Sequence, residues 1–144
     1  MKKVSDILAR KGSNIISINP ETTVLDALKL MADKNIGSVM IMKDQQFLGI
    51  VTERDYSRKV ILKGKSSTDT KVEEIMTINF PPVSPTDTIE HCMELMSVNT
   101  LRYLPVMEGG GVKGLISMSD LVKATIMEHE ETISQLKDYL HASM

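Results

Sequence analysis

The sequence has little of what marks several common classes of protein. Its single cysteine, Cys92, cannot form an internal disulfide and suits a reducing compartment. Tryptophan is absent and aromatic residues make up only 3%, so few side chains could stack on exposed bases. The net charge of −2, with lysine and arginine scattered between acids, offers no basic surface for duplex nucleic acid. We therefore expect no nucleic-acid partner.

Membrane and secretion signals are lacking as well. No apolar stretch approaches the roughly 20 residues that span a bilayer. The N-terminal residues Met1 to Ile7 begin with a positive end but reach Asp6 and Arg10 without the apolar run of a signal peptide. The prediction is a cytoplasmic protein without membrane contact.

Residues that commonly carry chemistry are few and scattered. The histidines His91, His129 and His141 lack the spacing of metal ligands, so we expect no metal site. Cys92 lies on a predicted amphipathic helix, where a lone cysteine usually acts as a small buried hydrophobe. Since no nucleophile–base pair or pair of acids stands out, we predict neither a catalytic residue nor a catalytic cofactor, and no enzyme.

One heptapeptide pattern occurs twice. Residues 49–55 (GIVTERD) and 114–120 (GLISMSD) both read glycine, two aliphatic residues, a hydroxyl residue, two spacers and aspartate, 65 positions apart. The same offset superposes Pro20 on Pro85 and Thr23 on Thr88, which indicates an internal duplication. Further upstream the offset becomes 68, which aligns the Val and Ile of residues 4–7 with those of residues 72–75.

The length of 144 residues suits one buried core, whereas a copy of half that length would be marginal alone. We therefore expect the two copies to form one compact module. The predicted boundaries are residues 1–65 for the first repeat, 66–127 for the second and 128–144 for a C-terminal helical extension.

Each copy is predicted to run strand, helix, strand, strand, helix. The opening strands are placed at 15–18 and 82–84, where Pro20 and Pro85 end the extended runs. Apolar residues at helical spacing follow, with N-cap candidates Thr22 or Thr23 in one copy and Thr86 or Asp87 in the other. The remaining strands are predicted at residues 38–42, 47–51, 103–107 and 112–116, and each heptapeptide opens a final helix.

The placement of the heptapeptides at strand-to-helix junctions permits two interpretations. In the first, Thr52 with Asp55 and Ser117 with Asp120 are capping boxes, which occur in proteins of every function. In the second, each carboxylate accepts two hydrogen bonds from a ribose diol, while the helix N-terminus beside it favours phosphate. Both copies keep these residue types and the leading glycine, which favours the second interpretation.

Taken together, the chain resembles a pair of CBS domains, the regulatory modules named after cystathionine β-synthase. The two heptapeptides, the strand Arg102–Val106 and the segments near Val4 and Val72 carry the resemblance, which extends to about Ile126. It implies an α/β (α+β) fold of tandem β-α-β-β-α repeats packed about a pseudo-twofold axis, with two nucleotide sites in the cleft. Family members bind AMP, ADP, ATP, NAD or S-adenosylmethionine and act as sensors rather than catalysts.

The resemblance also implies which residues form the two sites. Thr52 and Asp55 would hold the ribose at one site, and Ser117 and Asp120 would hold it at the other. The remaining candidates are Ile16, Ile36, Gly37 and Ser38 for the Asp55 site, and Pro82, Leu101, Arg102 and Tyr103 for the Asp120 site.

Arg102 makes the two sites unequal. It falls where the family often carries a basic residue that reaches phosphate, whereas the first copy has Gly37 and Ser38 there. We therefore expect the Asp120 site to prefer a phosphorylated ligand and to bind it more tightly. Alternatively, Arg102 is a solvated residue at a strand end.

The C-terminal helix carries an apolar seam of its own. Its residues follow a 4, 3, 4, 3, 4 spacing interrupted only by a histidine: Val122, Ile126, His129, Ile133, Leu136 and Leu140. Such a stripe requires cover, and a homodimer is the simplest source, although the helix could instead fold back on its own module.

The predicted function is a non-catalytic sensor of adenosine nucleotides that signals through an unidentified partner protein. Two alternatives remain open at this point: a structural dimerisation module without ligand, and a module that binds S-adenosylmethionine.

Overall fold

The computed structural model describes residues 2–12 and 15–142 and confirms the mixed α/β class. Two short 3₁₀ turns, Ile61–Lys63 and Val72–Glu74, accompany the longer elements. In chain order those elements are α1 (Val4–Lys11), β1 (Ser17–Ile18), α2 (Val24–Lys34), β2 (Ser38–Lys43), β3 (Gln46–Thr52), α3 (Glu53–Lys59), α4 (Ile89–Asn99), β4 (Tyr103–Glu108), β5 (Gly111–Ser117) and α5 (Met118–Ala142).

The chain divides into two compact units. Asn14–Phe80 form one, called the first-repeat unit below, and Met1–Ser13 with Pro81–Met144 form the other, called the second-repeat unit. Each unit thus contains the segment that precedes the other unit's repeat in sequence. The boundaries predicted for the sequence repeats, 1–65, 66–127 and 128–144, stay a prediction.

The first-repeat unit is built on a three-stranded sheet of order β1-β2-β3. β1 pairs in parallel with β2, and β2 pairs antiparallel with β3, with Ser38 opposite Thr52. The predicted opening strand is shorter than expected, since only Ser17–Ile18 pair as a strand. Its core contains aliphatic residues of the helices, the strands and the segment around Val72: Val24, Ala27, Met31, Val39, Ile41, Val51, Val60, Val72 and Ile75.

The second-repeat unit repeats this plan with one strand fewer. β4 and β5 pair antiparallel, with Tyr103 opposite Ser117. The strand predicted at 82–84 is wrong, because the described residues there form none; one backbone bond, from Met107 N to Val83 O at 2.8 Å, ties the segment to β4. Proline at positions 81, 82 and 85 supplies no N–H group, which limits pairing.

The segments that precede the two repeats are bound in matching ways. Val4 N donates to Asp87 O in the second-repeat unit, and Val72 N donates to Thr22 O in the first, both at 2.9 Å. The offset of 68 seen in the sequence therefore reflects equivalent positions. The segments differ beyond this point, since α1 continues as a helix to Lys11, whereas the 3₁₀ turn at Val72 ends at Glu74 and Thr77 then pairs with Ile50.

Helix caps place the strands that follow α2 and α4. Thr23 caps α2, as predicted, but the N-cap of α4 is Thr88 rather than Thr86 or Asp87. The Asp87 carboxylate instead accepts from Ser84 N at 2.7 Å and closes the preceding turn, so the helix begins two residues later than Asp87. Both helices end in a left-handed residue, Asn35 or Thr100, each with φ 54°.

Candidate functional site

At the Asp55 end, Thr52 and Asp55 form a complete capping box. Asp55 N donates to Thr52 Oγ1 at 3.0 Å, while Thr52 N and Oγ1 donate to Asp55 Oδ2 at 2.9 and 3.0 Å. The capping interpretation of the heptapeptide is thus realised. It does not exclude the other interpretation, because the same bonds fix the carboxylate at the carboxyl end of β3, where it is 8% exposed.

Lys59 completes this arrangement. Its ammonium lies 3.0 Å from Asp55 Oδ1 and donates to the Ile75 carbonyl at 2.8 Å. The pair is spaced i, i+4 on α3, so both partners lie on one face of the helix. One side chain therefore links the aspartate of the heptapeptide to the segment around Val72.

The predicted strand residues lie beside this box. Ile36 N donates to Met31 O at 2.9 Å, a bond typical of the turn after a left-handed cap, and this directs the chain into β2. Gly37 O accepts from Glu53 N at 3.1 Å, and Ser38 is the register partner of Thr52. Gly37 and Ser38 are thus adjacent to Thr52, at the start of α3.

Ile16 joins the same sheet from the other side of β2. Its carbonyl accepts from Met40 N at 3.2 Å, and both Ile16 and Ile36 are partly buried against the core. The six residues predicted for the Asp55 site therefore all belong to the first-repeat unit. Ile16 contacts β2 at Met40, two residues beyond Ser38. Their role in holding a ligand stays a prediction.

At the Asp120 end the box is repeated with a different cation. Ser117 N donates to Asp120 Oδ2 at 2.8 Å, and Asp120 N donates to Ser117 Oγ at 3.1 Å. Lys11 Nζ, at the end of α1, lies 2.8 Å from the same Oδ2 and 2.9 Å from the Leu115 carbonyl oxygen. The counter-ion of Asp120 thus comes from a residue 109 positions away in sequence.

The surroundings lower the pKa of Asp120 below its ordinary value of 3.8. Burial, the largest influence, raises this pKa, but hydrogen bonds from Lys11 and Ser117 together with the charge of Lys11 outweigh it. The carboxylate is consequently ionised at neutral pH, the form that accepts hydrogen bonds.

The strand residues of the Asp120 site occupy positions equivalent to those in the other unit. Leu101 N donates to Met96 O and Arg102 O accepts from Met118 N, each at 2.9 Å. Tyr103 is paired with Ser117, and Pro82 precedes the Val83 carbonyl that meets β4. Arg102 is exposed, so both interpretations of its side chain, phosphate contact and solvated strand end, stay open.

Neither lysine was predicted from the sequence as a partner of these aspartates. Lys59 carried a detectable signal, because a cation four residues after Asp55 on a predicted helix is expected to pair with it. Lys11 carried none, since only the folded chain brings α1 to the start of α5.

The leading glycine of each heptapeptide also has a structural role that the sequence did not reveal. A β-carbon added to Gly49 would lie 2.7 Å from the Thr77 carbonyl oxygen and 2.9 Å from Met76 Sδ. One added to Gly114 would lie 2.7 Å from Leu8 Cδ2. Each glycine therefore lets the segment preceding the other repeat pack closely against the strand that leads into the site.

The described part of the chain offers little other chemistry. Within it, no group of three or more histidine, cysteine, aspartate or glutamate side chains could hold a metal ion. Cys92 is buried, and this burial, with the nearby Asp87 charge, raises the pKa of its thiol to about 11. No described helix is both long and apolar enough to cross a membrane.

Comparison with known proteins gives consistent results. The CBS domain sequence pattern matches residues 4–61 and 72–126. The CBS domain-containing protein CBSX3, mitochondrial, of Arabidopsis thaliana is 38% identical, over 95% of this chain and 71% of its own length. A candidate signal-transduction protein with CBS domains from Burkholderia ambifaria superposes with a TM-score of 0.83 at 44% identity, over 88% of this chain and 95% of that one.

A more distant structure shares the fold. It is a CBS domain pair in complex with 5′-methylthioadenosine and S-adenosyl-L-methionine, with a TM-score of 0.75 and 23% identity over 86% of this chain and 99% of that one. CBS domain pairs are in general regulatory modules that bind adenosine-containing ligands. With both copies of the pattern matched and both heptapeptides at equivalent strand-to-helix junctions, the chain belongs to the CBS-domain family.

Proposed function

We propose that this protein is a non-catalytic sensor that binds an adenosine nucleotide, namely AMP, ADP, ATP or NAD, at the Asp55 and Asp120 ends of its two units. The observation that carries the proposal is the duplicated junction. In each unit the capping bonds fix a carboxylate where one strand ends and a helix begins. The residue just before the neighbouring strand, Gly37 or Arg102, accepts a hydrogen bond at its carbonyl from the first residue of that helix.

The Asp120 junction is the better candidate for a phosphorylated ligand. Its carboxylate carries a lowered pKa, and the bonds from Ser117 N and Lys11 Nζ both reach Asp120 Oδ2, so a ribose hydroxyl could bind at Oδ1. Arg102 immediately precedes the paired strand β4 and would supply positive charge for phosphate. At the Asp55 junction the corresponding positions are Gly37 and Ser38, and Lys59 occupies Asp55 Oδ1.

A thermal-shift panel tests the proposal. AMP, ADP, ATP, NAD, S-adenosylmethionine and GTP are added to the wild type, Asp55→Ala and Asp120→Ala. A ligand at 100 times its Kd should stabilise the folded protein by about 2.7 kcal/mol. We expect stabilisation by adenosine ligands but not by GTP, with the larger part lost in Asp120→Ala.

The aspartates are also caps, so each variant is first compared with wild type in urea unfolding without ligand. If no adenosine compound shifts either transition, the sensor is rejected and the structural dimerisation module is retained. A shift confined to S-adenosylmethionine selects that ligand, which the distant CBS pair described above also binds.

The proposal includes a homodimer formed through α5. The side chains of Ile126, Ile133 and Leu136 are more than half exposed along its seam. Isoleucine at the a positions and leucine at a d position is the pattern that favours two-stranded coiled coils. A second copy of the same helix would cover the seam and would leave the junctions to report ligand binding to a partner protein.

A cytoplasmic location is the last part of the proposal, based on the single cysteine, Cys92, which is buried and suits a reducing compartment. Fractionation with antibody detection tests it, and recovery with an organelle, as the name of the Arabidopsis relative suggests for that protein, would overturn it.

A further inference from the structure

Lys11 is the last residue of α1, and its ammonium bridges two acceptors in the second-repeat unit. It lies 2.8 Å from Asp120 Oδ2 and 2.9 Å from the Leu115 carbonyl oxygen, while its side chain stays 41% exposed. A partly exposed pair of this kind is weak and can exchange for other partners.

In the first-repeat unit, the carbonyl equivalent to that of Leu115 has a different hydrogen-bond partner. There the Ile50 carbonyl, 65 positions before Leu115, accepts from Thr77 N at 2.9 Å, and Ile50 N donates back to Thr77 O at 3.0 Å. A reciprocal backbone pair therefore occupies the position at which the second-repeat unit has the Lys11 ammonium. The lysine of the first-repeat unit, Lys59, lies on the same helix as Asp55.

Hydrogen-bond capacity decides what a diol must displace at Asp120. A carboxylate oxygen offers two acceptor positions, and Asp120 Oδ2 already accepts from Ser117 N and Lys11 Nζ. Ser117 N is part of the backbone cap and cannot leave without opening the start of α5. A diol that contacts both carboxylate oxygens must therefore take the position of the Lys11 ammonium.

We propose that Lys11 is a latch on the Asp120 site: a ribose diol displaces its ammonium from Asp120, and the last turn of α1 is released as the ligand binds. This inference rests on the proposed adenosine site. Because the ion pair must break before a diol can bind, the latch lowers the affinity of the site for a diol. It also means that ligand binding loosens the C-terminal turn of α1.

Neutral adenosine is the appropriate probe, because it carries the diol but no phosphate that could attract the released lysine. Its binding is measured by calorimetry on the full chain as wild type, Lys11→Met, Asp120→Ala and Lys123→Met. Lys123 is an exposed lysine of α5 and serves as the charge-matched control. We expect adenosine to bind Lys11→Met about two- to fivefold more tightly than wild type, the range that a surface ion pair supplies, and Lys123→Met to match wild type.

Hydrogen exchange gives a second readout that a merely structural lysine would not move. The amide of Gly12 donates to Leu8 O at the end of α1. Adenosine should speed exchange of the amides near this end in wild type, whereas in Lys11→Met exchange should already be fast and should not respond to ligand.

The outcomes separate the two ideas. If wild type binds neither adenosine nor any nucleotide of the thermal-shift panel, the proposed function and the latch are both rejected. If it binds a nucleotide but not adenosine, only the latch is rejected, because the diol alone then does not displace Lys11. If wild type binds and Asp120→Ala does not, but Lys11→Met has the affinity and exchange pattern of Lys123→Met, only the latch is rejected. Weaker binding by Lys11→Met would likewise overturn it, since Lys11 would then hold the ligand rather than compete with it.

Discussion

The Asp55 and Asp120 junctions start from the same heptapeptide pattern and acquire different surroundings. At Asp55 the counter-ion is Lys59, on the helix that the motif itself caps. At Asp120 the counter-ion is Lys11, from a segment more than 100 residues upstream. The repeated sequence thus determines the cap, whereas residues outside it determine the counter-ion, which is local at Asp55 and comes from a distant segment at Asp120.

The helices that the two junctions open differ even more. α3 spans Glu53–Lys59, and a 3₁₀ turn follows it, whereas α5 spans Met118–Ala142. Gly64, with φ 71°, closes the short version with a left-handed turn. One copy of the duplicated unit therefore ends locally, and the other extends an apolar seam on which assembly can depend.

The largest expected effect concerns this seam. Replacing Ile133 and Leu136 together by aspartate should abolish the dimer, because two charges would be buried at its centre. Ser134→Asp, which adds a charge on the same turn outside the seam, serves as the control. Sedimentation velocity should show a dimer for wild type and control and a monomer for the double variant. A wild-type monomer would contradict the assignment of the seam to self-association.

The two leading glycines provide the next comparison. In Gly49→Ala the new methyl group meets a backbone carbonyl, which cannot move aside, so we expect a loss of about 2–3 kcal/mol in unfolding free energy. In Gly114→Ala it meets the end of the Leu8 side chain, which can rotate, and the loss should be about 1 kcal/mol or less. Urea unfolding of both variants checks this, and equal losses would remove the distinction.

Much of this architecture could be predicted from the sequence, because repetition and periodicity reinforced each other. The strands β2, β3, β4 and β5 were located to within one residue at each end, and the Thr52 and Ser117 caps were identified. The errors concern Pro82–Ser84 and the start of α4, where prolines and the Asp87 side chain change local pairing. Hydrogen bonds between a side chain and the nearby backbone, such as that of Asp87, compete with secondary structure and leave little trace in a hydrophobic pattern.

The electrostatics of the sites were less accessible. Lys59 could have been found from its spacing to Asp55, but the contact between Lys11 and Asp120 arises from packing between distant segments. The lesson from this pair is that a duplicated motif does not guarantee a duplicated site.

The left-handed caps give a smaller effect. Asn35 and Thr100 both have φ 54°, a conformation that asparagine adopts readily and that strains a β-branched threonine. Thr100→Asn should therefore stabilise the protein by about 1 kcal/mol, and Asn35→Thr should destabilise it by a similar amount. Thermal unfolding of the two variants measures both. Opposite signs are required, and a loss in Thr100→Asn would mean that the threonine side chain contributes a compensating contact.

The smallest effect is a shift in the pKa of Asp120. Burial raises this pKa, but the hydrogen bonds of Lys11 and Ser117 and the charge of Lys11 hold it below its ordinary value of 3.8. Lys11→Met removes one of these hydrogen bonds and the charge, so the pKa should rise, whereas Lys123→Met should leave it unchanged. Carboxyl carbon chemical shifts followed by NMR during an acid titration measure it directly.

The same shift predicts how stability depends on pH. A carboxyl group whose pKa is lowered by folding stabilises the protein fully above its ordinary pKa of 3.8, and this contribution is lost as the pH falls through the lower value of the folded state. Wild type should therefore lose more stability than Lys11→Met between about pH 5 and pH 2, the window in which carboxyl groups take up protons. If both proteins lose the same amount of stability, Lys11 does not control the ionisation of Asp120. The two junctions would then differ in the position of their lysines but not in the effect of those lysines on the aspartate.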